Sequence, residues 1–165
     1  GIGVSTHLGG ELFQYLAGIK LYHVPYKVST QPVEAVIGGQ VRAAVSALNA
    51  ALPHVRSGRI RALAVATEKR SAFLPEVPTF EELGVKDMRS ETWIGVLAPA
   101  KVPAGIAARL TRFIMGAIAR PEMKERIAGL GAEPVGVELE KFAALMRAEV
   151  ELNGRIVRAA NIKPE

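Results

Sequence analysis

The chain has 165 residues, 49% of them hydrophobic, a net charge of +5 and no cysteine. That is enough apolar material for one domain with a core, and it excludes disulfides, thiolate metal sites and thiol catalysis. No apolar run reaches the ~18 residues needed to cross a membrane, and the Lys and Arg residues are scattered among acids rather than gathered in the basic stripe of a nucleic-acid binder.

The chain begins with Gly rather than Met, directly in a functional-looking loop, G-I-G-V-S-T-H. It therefore reads as the C-terminal part of a longer protein, or as a processed or truncated one. From Thr6 to Ala17 the apolar residues Leu8, Leu12, Phe13 and Leu16 recur at helical spacing. Ser5 or Thr6 is placed to cap this helix and Gly18 to follow its end. L-Y-H-V-P-Y (21–26) reads as a short strand. Ser29 or Thr30 then caps a short helix with Pro32 in its first turn, ended by Gly38 and Gly39. Residues 41–46 read as a strand, 49–58 as a short helix closed by Gly58, and 61–67 as a buried strand. The prolines of 68–78 make a loop, after which Thr79 and Glu82 form a capping box for one turn closed by Gly84. A strand at 92–99 stops at Pro99.

Three helices follow, over roughly 103–119, 121–130 and 138–160, two of them opened by Pro103 and Pro121. In the first, Ile106, Leu110, Phe113, Ile114 and Ala117 mark a broad apolar face for burial. Alternating helices and aliphatic strands imply an α/β fold with a mixed sheet covered by helices. The change to purely helical sequence near residues 90–100 suggests passage into a second lobe.

Among chemical candidates, the opening loop stands first. Glycines let a backbone approach a ligand, and a helix N-terminus offers unpaired N–H groups that favour an anion. Gly3, Ser5 and Thr6 suit a carboxylate or phosphate, although the lysine of a P-loop is missing; a capped tight turn fits the same residues. Ser5 with His7 does not match a nucleophile elbow, because His stands where glycine is required. His7, His23 and His54 share no metal-ligand spacing, so neither a metal nor another cofactor is expected. Tyr26 at the end of H-V-P-Y-K is placed either at a pocket rim or in strand-end packing. Ser46 and Asn49 follow a strand at the edge where α/β sheets bind ligands; capping the next helix is the alternative. Arg61, Lys69 and Arg70 are loop charges, expected to be solvated, as are the acids of F-E-E-L-G.

Read in succession, G-x-G-x-S-T-H-L-x-G-E-L-F, H-V-P-Y-K, I-G-G-Q-V, G-R-I-R-A-L-A-V, K-R-S-x-x-L-P-E-V-P-T-x-x-E-L-G, W-x-G-V-L-A-P-A, G-A-E-P and A-A-N-I-K resemble the Bug-type extracytoplasmic solute receptors of the tripartite tricarboxylate transporter family. The resemblance runs in order along nearly the whole chain. It implies a periplasmic solute-binding protein of the type II binding-protein architecture, not an enzyme. Two α/β lobes hold a small carboxylate in the cleft between them, largely through backbone N–H groups, hydroxyls and water.

On that pattern residues 1–95 form most of the second lobe, without its first helix and strand. Residues 96–165 supply a crossover strand and the C-terminal helices of the first lobe. Gly3, Ser5, Thr6, Tyr26, Ser46 and Asn49 then line the ligand wall, and membrane transporter subunits are the partners of the full-length protein. The helices of 103–160 carry apolar faces meant for a first-lobe sheet, so this chain alone is expected to self-associate. Val28 stands where the family commonly has glycine, Ala35 where it has Asp, and Lys101-Val102-Pro103 where it has Gly-Thr-Pro. Two other readings are an effector-sensing domain of a cytosolic transcription regulator and, from Ser5, a serine hydrolase.

Overall fold

The computed structural model describes residues 1–160 and 162. Among them it contains six helices: α1 Ser5–Ala17, α2 Gln31–Ile37, α3 Leu48–Arg56, α4 Ala104–Ile118, α5 Pro121–Gly129 and α6 Leu139–Ala159. Each lies close to where the 3.6-residue periodicity and the Gly and Pro punctuation put it. Gly18, in the left-handed region at φ 63°, ends α1 and donates to the Gln14 carbonyl. Pro32 and Pro121 occupy first-turn positions, where their missing N–H is harmless.

The cap of α2 falls on Thr30, one of its two expected candidates, while the caps of α1 and α3 differ from the expectation. Val4, extended at φ −76° and ψ 160°, is the N-cap of α1, and Ser5 and Thr6 are its first helical residues. Thr30 caps α2 and Ala47 caps α3 without a side-chain bond.

The mixed sheet is not present among the described residues. The expected strands at 21–26, 41–46 and 92–99 have no ladder, and the 61–67 segment makes one isolated parallel bridge, Val65 to Thr79. In that bridge the Val65 N–H donates to the Pro78 carbonyl (2.9 Å), and the Phe80 N–H donates to the Val65 carbonyl (3.2 Å). An aliphatic run signals readiness to pair. A strand exists only where a second strand takes up its N–H and C=O groups. The unpaired runs leave large apolar side chains in solvent, with Tyr22 93% and Ile94 96% exposed.

The chain divides into two compact units, Gly1–Thr92 with Leu152–Glu165, and Trp93–Glu151. The first unit has two apolar clusters. Leu8 and Leu12 of α1 pack with Met88 and with Ile156 from the end of α6, joined by Phe13, Leu16, Phe80 and Val157. This cluster fixes the back of α1. The second joins Leu52 of α3 to Leu74 and Val77.

Between them the 67–90 loop is tied by polar contacts. The Thr79 N–H donates to Glu82 Oε2 (2.7 Å) and the Glu82 N–H to Thr79 Oγ1 (3.1 Å), a reciprocal capping box. Arg70 is committed to this turn rather than free for a partner: its guanidinium forks onto both Glu82 oxygens and donates to the Pro75 carbonyl. The Glu82 carboxyl is held down to about 2, first by Arg70 and then by the Thr79 amide.

In the second unit, Trp93 meets Phe142 edge-on with ring centroids 5.0 Å apart and donates from Nε1 to Glu149 (2.6 Å). A Cβ on Gly95 would lie 2.5 Å from Phe142 Cζ, which explains the small residue in W-x-G. The apolar face of α4 is not buried as its periodicity suggested: Ile106, Leu110 and Phe113 are exposed. An open groove of about 450 Å³ lies between α4 and the start of α6, bordered by Arg112, Glu138, Glu140 and Lys141.

Replacing Thr79, which is 3% exposed, by Ala removes the hydroxyl half of the capping box. The expected loss is about 1 kcal/mol, read as a lower denaturation midpoint. The Arg70–Glu82 contribution is complete above the ordinary carboxyl value of 4.5 and is lost as pH falls toward about 2.

Candidate functional site

The opening loop is built by three local choices. Gly3 sits at φ 77°, a left-handed conformation that glycine adopts without strain, and a Cβ there would meet nothing within 4 Å. Val4 follows as an extended cap whose carbonyl accepts the Leu8 N–H at 3.0 Å. Because Val has no side-chain acceptor, the amides of Ser5, Thr6 and His7 have no partner among the described residues. The first turn of α1 also carries no acidic residue, so the positive end of the helix dipole is not neutralised from within.

His7 organises the loop. Its Nδ1 accepts the Gly3 N–H at 3.0 Å. Nδ1 is therefore unprotonated and the ring proton resides on Nε2, which lies 3.6 Å from Glu11 Oε1. The His7 side chain is only 8% exposed. Its ring stacks on His23, with centroids 4.1 Å apart and planes inclined by 13°. The Gly1 nitrogen donates to the Tyr26 carbonyl at 2.8 Å, joining the loop to the H-V-P-Y-K segment. A Ser5–His7 nucleophile pair is absent. Ser5 Oγ bonds Thr92 Oγ1 instead, at 3.0 Å.

Ser90 adds a second hydroxyl, donating to the Ser5 carbonyl at 3.5 Å. This approach needs glycine on α1: a Cβ on Gly9 would stand 2.6 Å from Ser90 Oγ and 3.8 Å from Val45. Gly10 likewise faces Val45.

The six residues singled out from the sequence fare differently. Gly3, Ser5 and Thr6 lie together at the start of α1. Tyr26 reaches the loop through its backbone, its side chain half-buried. Ser46 follows Val45, and its hydroxyl donates to the Ala47 carbonyl at 3.2 Å. Asn49 is exposed in the first turn of α3, and no described side-chain bond joins it or Thr6 to another residue. With no sheet among the described residues, Ser46 and Asn49 do not stand at a sheet edge, and neither caps α3. The residues that sequence reasoning passed over are Gly9, His23, Ser90 and Thr92. The hydroxyls flanking Glu91 are visible in S-E-T-W, but nothing local links Thr92 to a serine 87 positions earlier.

His23 has its pKa lowered from 6.5, chiefly by burial and then by His7, against an opposing pull from Glu11. A base depressed in the folded state binds its proton less readily than in the unfolded chain. Stability is therefore complete above the ordinary value and declines as pH falls through the lowered one. The denaturation midpoint is expected to drop on acidification below 6.5, and His23→Gln to remove that part of the pH dependence.

Comparison with known proteins places the chain in a family. Residues 1–162 match the family model described as tripartite tricarboxylate transporter family receptor. Protein BugT of Bordetella pertussis is 34% identical over 162 residues, which cover 98% of this chain and 50% of BugT. Among solved structures, R. palustris Rpa4515 with adipate is similar at 30% identity with a TM-score of 0.83, covering 98% of this chain and 54% of that one. The periplasmic binding protein BugD is similar at 27% identity with a TM-score of 0.77, covering 100% of this chain and 56% of that one. This chain thus spans about half the length of each.

Proposed function

Because the chain belongs to the tripartite tricarboxylate transporter receptor family, we propose that it serves a solute receptor by holding one carboxylate group of a small acid at the start of α1. The family is one of receptors, and the chain is not an enzyme. The observation that carries the reading is the row of unpartnered amides at Ser5, Thr6 and His7, beside the hydroxyls of Ser5, Thr6 and Thr92.

Each hydrogen bond to a charged acceptor contributes about 1.5–3 kcal/mol. The helix dipole adds roughly 0.3–1 kcal/mol. A few such bonds hold a carboxylate without a buried Arg or Lys, and the cationic pairs of the first unit, Arg70 and Arg89, are engaged with Glu82, Glu68 and Glu81. Adipate in the similar Rpa4515 structure makes a dicarboxylate the natural probe. Tyr26, Ser46 and Asn49 are assigned to the same wall.

In this reading residues 1–95 are most of the ligand lobe, and residues 96–165 a crossover strand and the C-terminal helices of the other. The receptor works in the periplasm, a reading that its similarity to the periplasmic binding protein BugD supports, and delivers its acid to membrane transporter subunits, as the family description supports. No helix among the described residues is long and apolar enough to cross a membrane.

The test is calorimetric titration of the full-length receptor with adipate and shorter dicarboxylates. A Ser5→Ala/Thr6→Ala pair is expected to weaken binding about 10- to 100-fold, from the loss of charged hydrogen bonds. Unchanged affinity refutes the assignment.

A second expectation concerns this chain on its own. The exposed Ile106, Leu110 and Phe113 of α4 and Ile94, Val96 and Leu97 before it form apolar surface that drives self-association. Light scattering is expected to show oligomers, and a monodisperse monomer overturns the expectation.

A further inference from the structure

We infer that His7 is a positioning residue for the carboxylate loop: by accepting the Gly3 amide at Nδ1 it holds the turn that leaves the Ser5, Thr6 and His7 amides open, and protonation at Nδ1 releases that turn. The inference rests on the proposed carboxylate site but concerns a different residue and a different bond.

Gly3 has open space around it, so its glycine serves conformation rather than packing. A left-handed glycine in an exposed loop has large conformational freedom to lose. The described structure gives its N–H one partner, His7 Nδ1. That bond also removes Gly3 from the set of amides available to a ligand and passes the task to Ser5, Thr6 and His7. The imidazole can hold Gly3 because it is itself held on two further sides. His23 lies flat against one face at 4.1 Å, and Glu11, one turn along α1, faces Nε2 at 3.6 Å. Glu11 favours the tautomer in which Nε2 carries the proton and Nδ1 is free to accept.

Acid reverses the arrangement. A proton on Nδ1 turns the acceptor into a second donor pointing at the Gly3 N–H, and the bond is lost. The titratable and charged groups around the ring are His23 on its face and Glu11 on its own helix. Once the ring takes up this second proton, the loop is expected to lose its hold on Gly3 and carboxylate affinity to fall. A simple charge effect has the opposite sign, because an imidazolium beside the site attracts an anion more strongly.

Adipate binding to the full-length receptor tests this at several pH values in three proteins: the unaltered receptor, His7→Leu and His7→Asn. The Asn amide oxygen takes the place of Nδ1 as an acceptor and does not titrate. His7→Leu is expected to bind about tenfold more weakly at pH 8, the equivalent of one neutral hydrogen bond, and His7→Asn to restore most of the affinity. Titration of adipate itself is common to all three and cancels in their ratios. The unaltered receptor should therefore lose affinity relative to His7→Asn as pH falls.

Equal pH profiles, or a relative gain at low pH, overturn the inference while leaving the carboxylate site standing if Ser5→Ala/Thr6→Ala still weakens binding. Nitrogen-15 spectra of the uniformly labelled, unaltered receptor give a readout that needs neither ligand nor variant. The His7 ring should appear as the Nε2–H tautomer, and the Gly3 amide shift should follow its titration. If no dicarboxylate binds, this coupling alone decides: its presence supports the role of His7, and its absence overturns it.

Discussion

The first turn of α1 presents three backbone amides that no carbonyl or side chain of the described residues occupies. Most helices meet this situation with a Ser, Thr, Asp or Asn cap. Here the cap is Val4, which has no acceptor to offer, and the hydroxyls come one and two residues later, already inside the helix. Ser5 and Thr6 then present their hydroxyls beside the open amides instead of consuming them. The absence of Asp and Glu from that turn leaves the dipole without an internal counter-charge. Both features weaken α1 as an isolated helix, and both suit a helix end that receives an external anion.

What keeps such an end in place lies behind it. Leu8 and Leu12 point into a cluster with Met88 and with Ile156, contributed by the end of α6. The direction of α1 is thus set by a helix nearly 150 positions further along the chain. In front, Gly9 lets Ser90 and Val45 come close, and Thr92 bonds Ser5. Tight packing on one side and a small residue on the other fix the helix end, and an open amide is useful only when it is fixed in this way.

The most strongly patterned stretch of the sequence, from Lys69 to Gly84, has a different role. Arg70, Pro75, Thr79 and Glu82 bond one another, and the Ser71 hydroxyl accepts the Phe73 amide. Their spacing describes a loop that is tied to itself and presents Phe80 and Val77 to the two apolar clusters. In the second unit the W-x-G pattern has an equally local cause, since Gly95 makes room for Phe142. Recurrent residues in this chain divide between those that hold loops in shape and the few at α1 that are left unoccupied.

The sequence by itself determined the helices, their glycine and proline punctuation and the capping box, because those depend on neighbours three or four positions away; it misplaced the cap of α1, which is Val4. It also marked the Gly-Ser-Thr loop as suited to an anion, since glycine freedom, hydroxyls and a helix start are local properties. The Gly3–His7 bond lay within the same short range, yet a search for a nucleophile and its base looked past a histidine that accepts from a backbone amide. Tertiary structure alone decided the rest. A strand depends on a partner that its own residues do not specify, so the aliphatic runs at 21–26, 41–46 and 92–99 carry no ladder here. The stacking of His23 on His7 and the meeting of Thr92 and Ser90 with Ser5 depend on where distant segments come to lie. Periodicity and composition describe what one segment is prepared to do; packing and hydrogen bonding across the chain select which partner it finds.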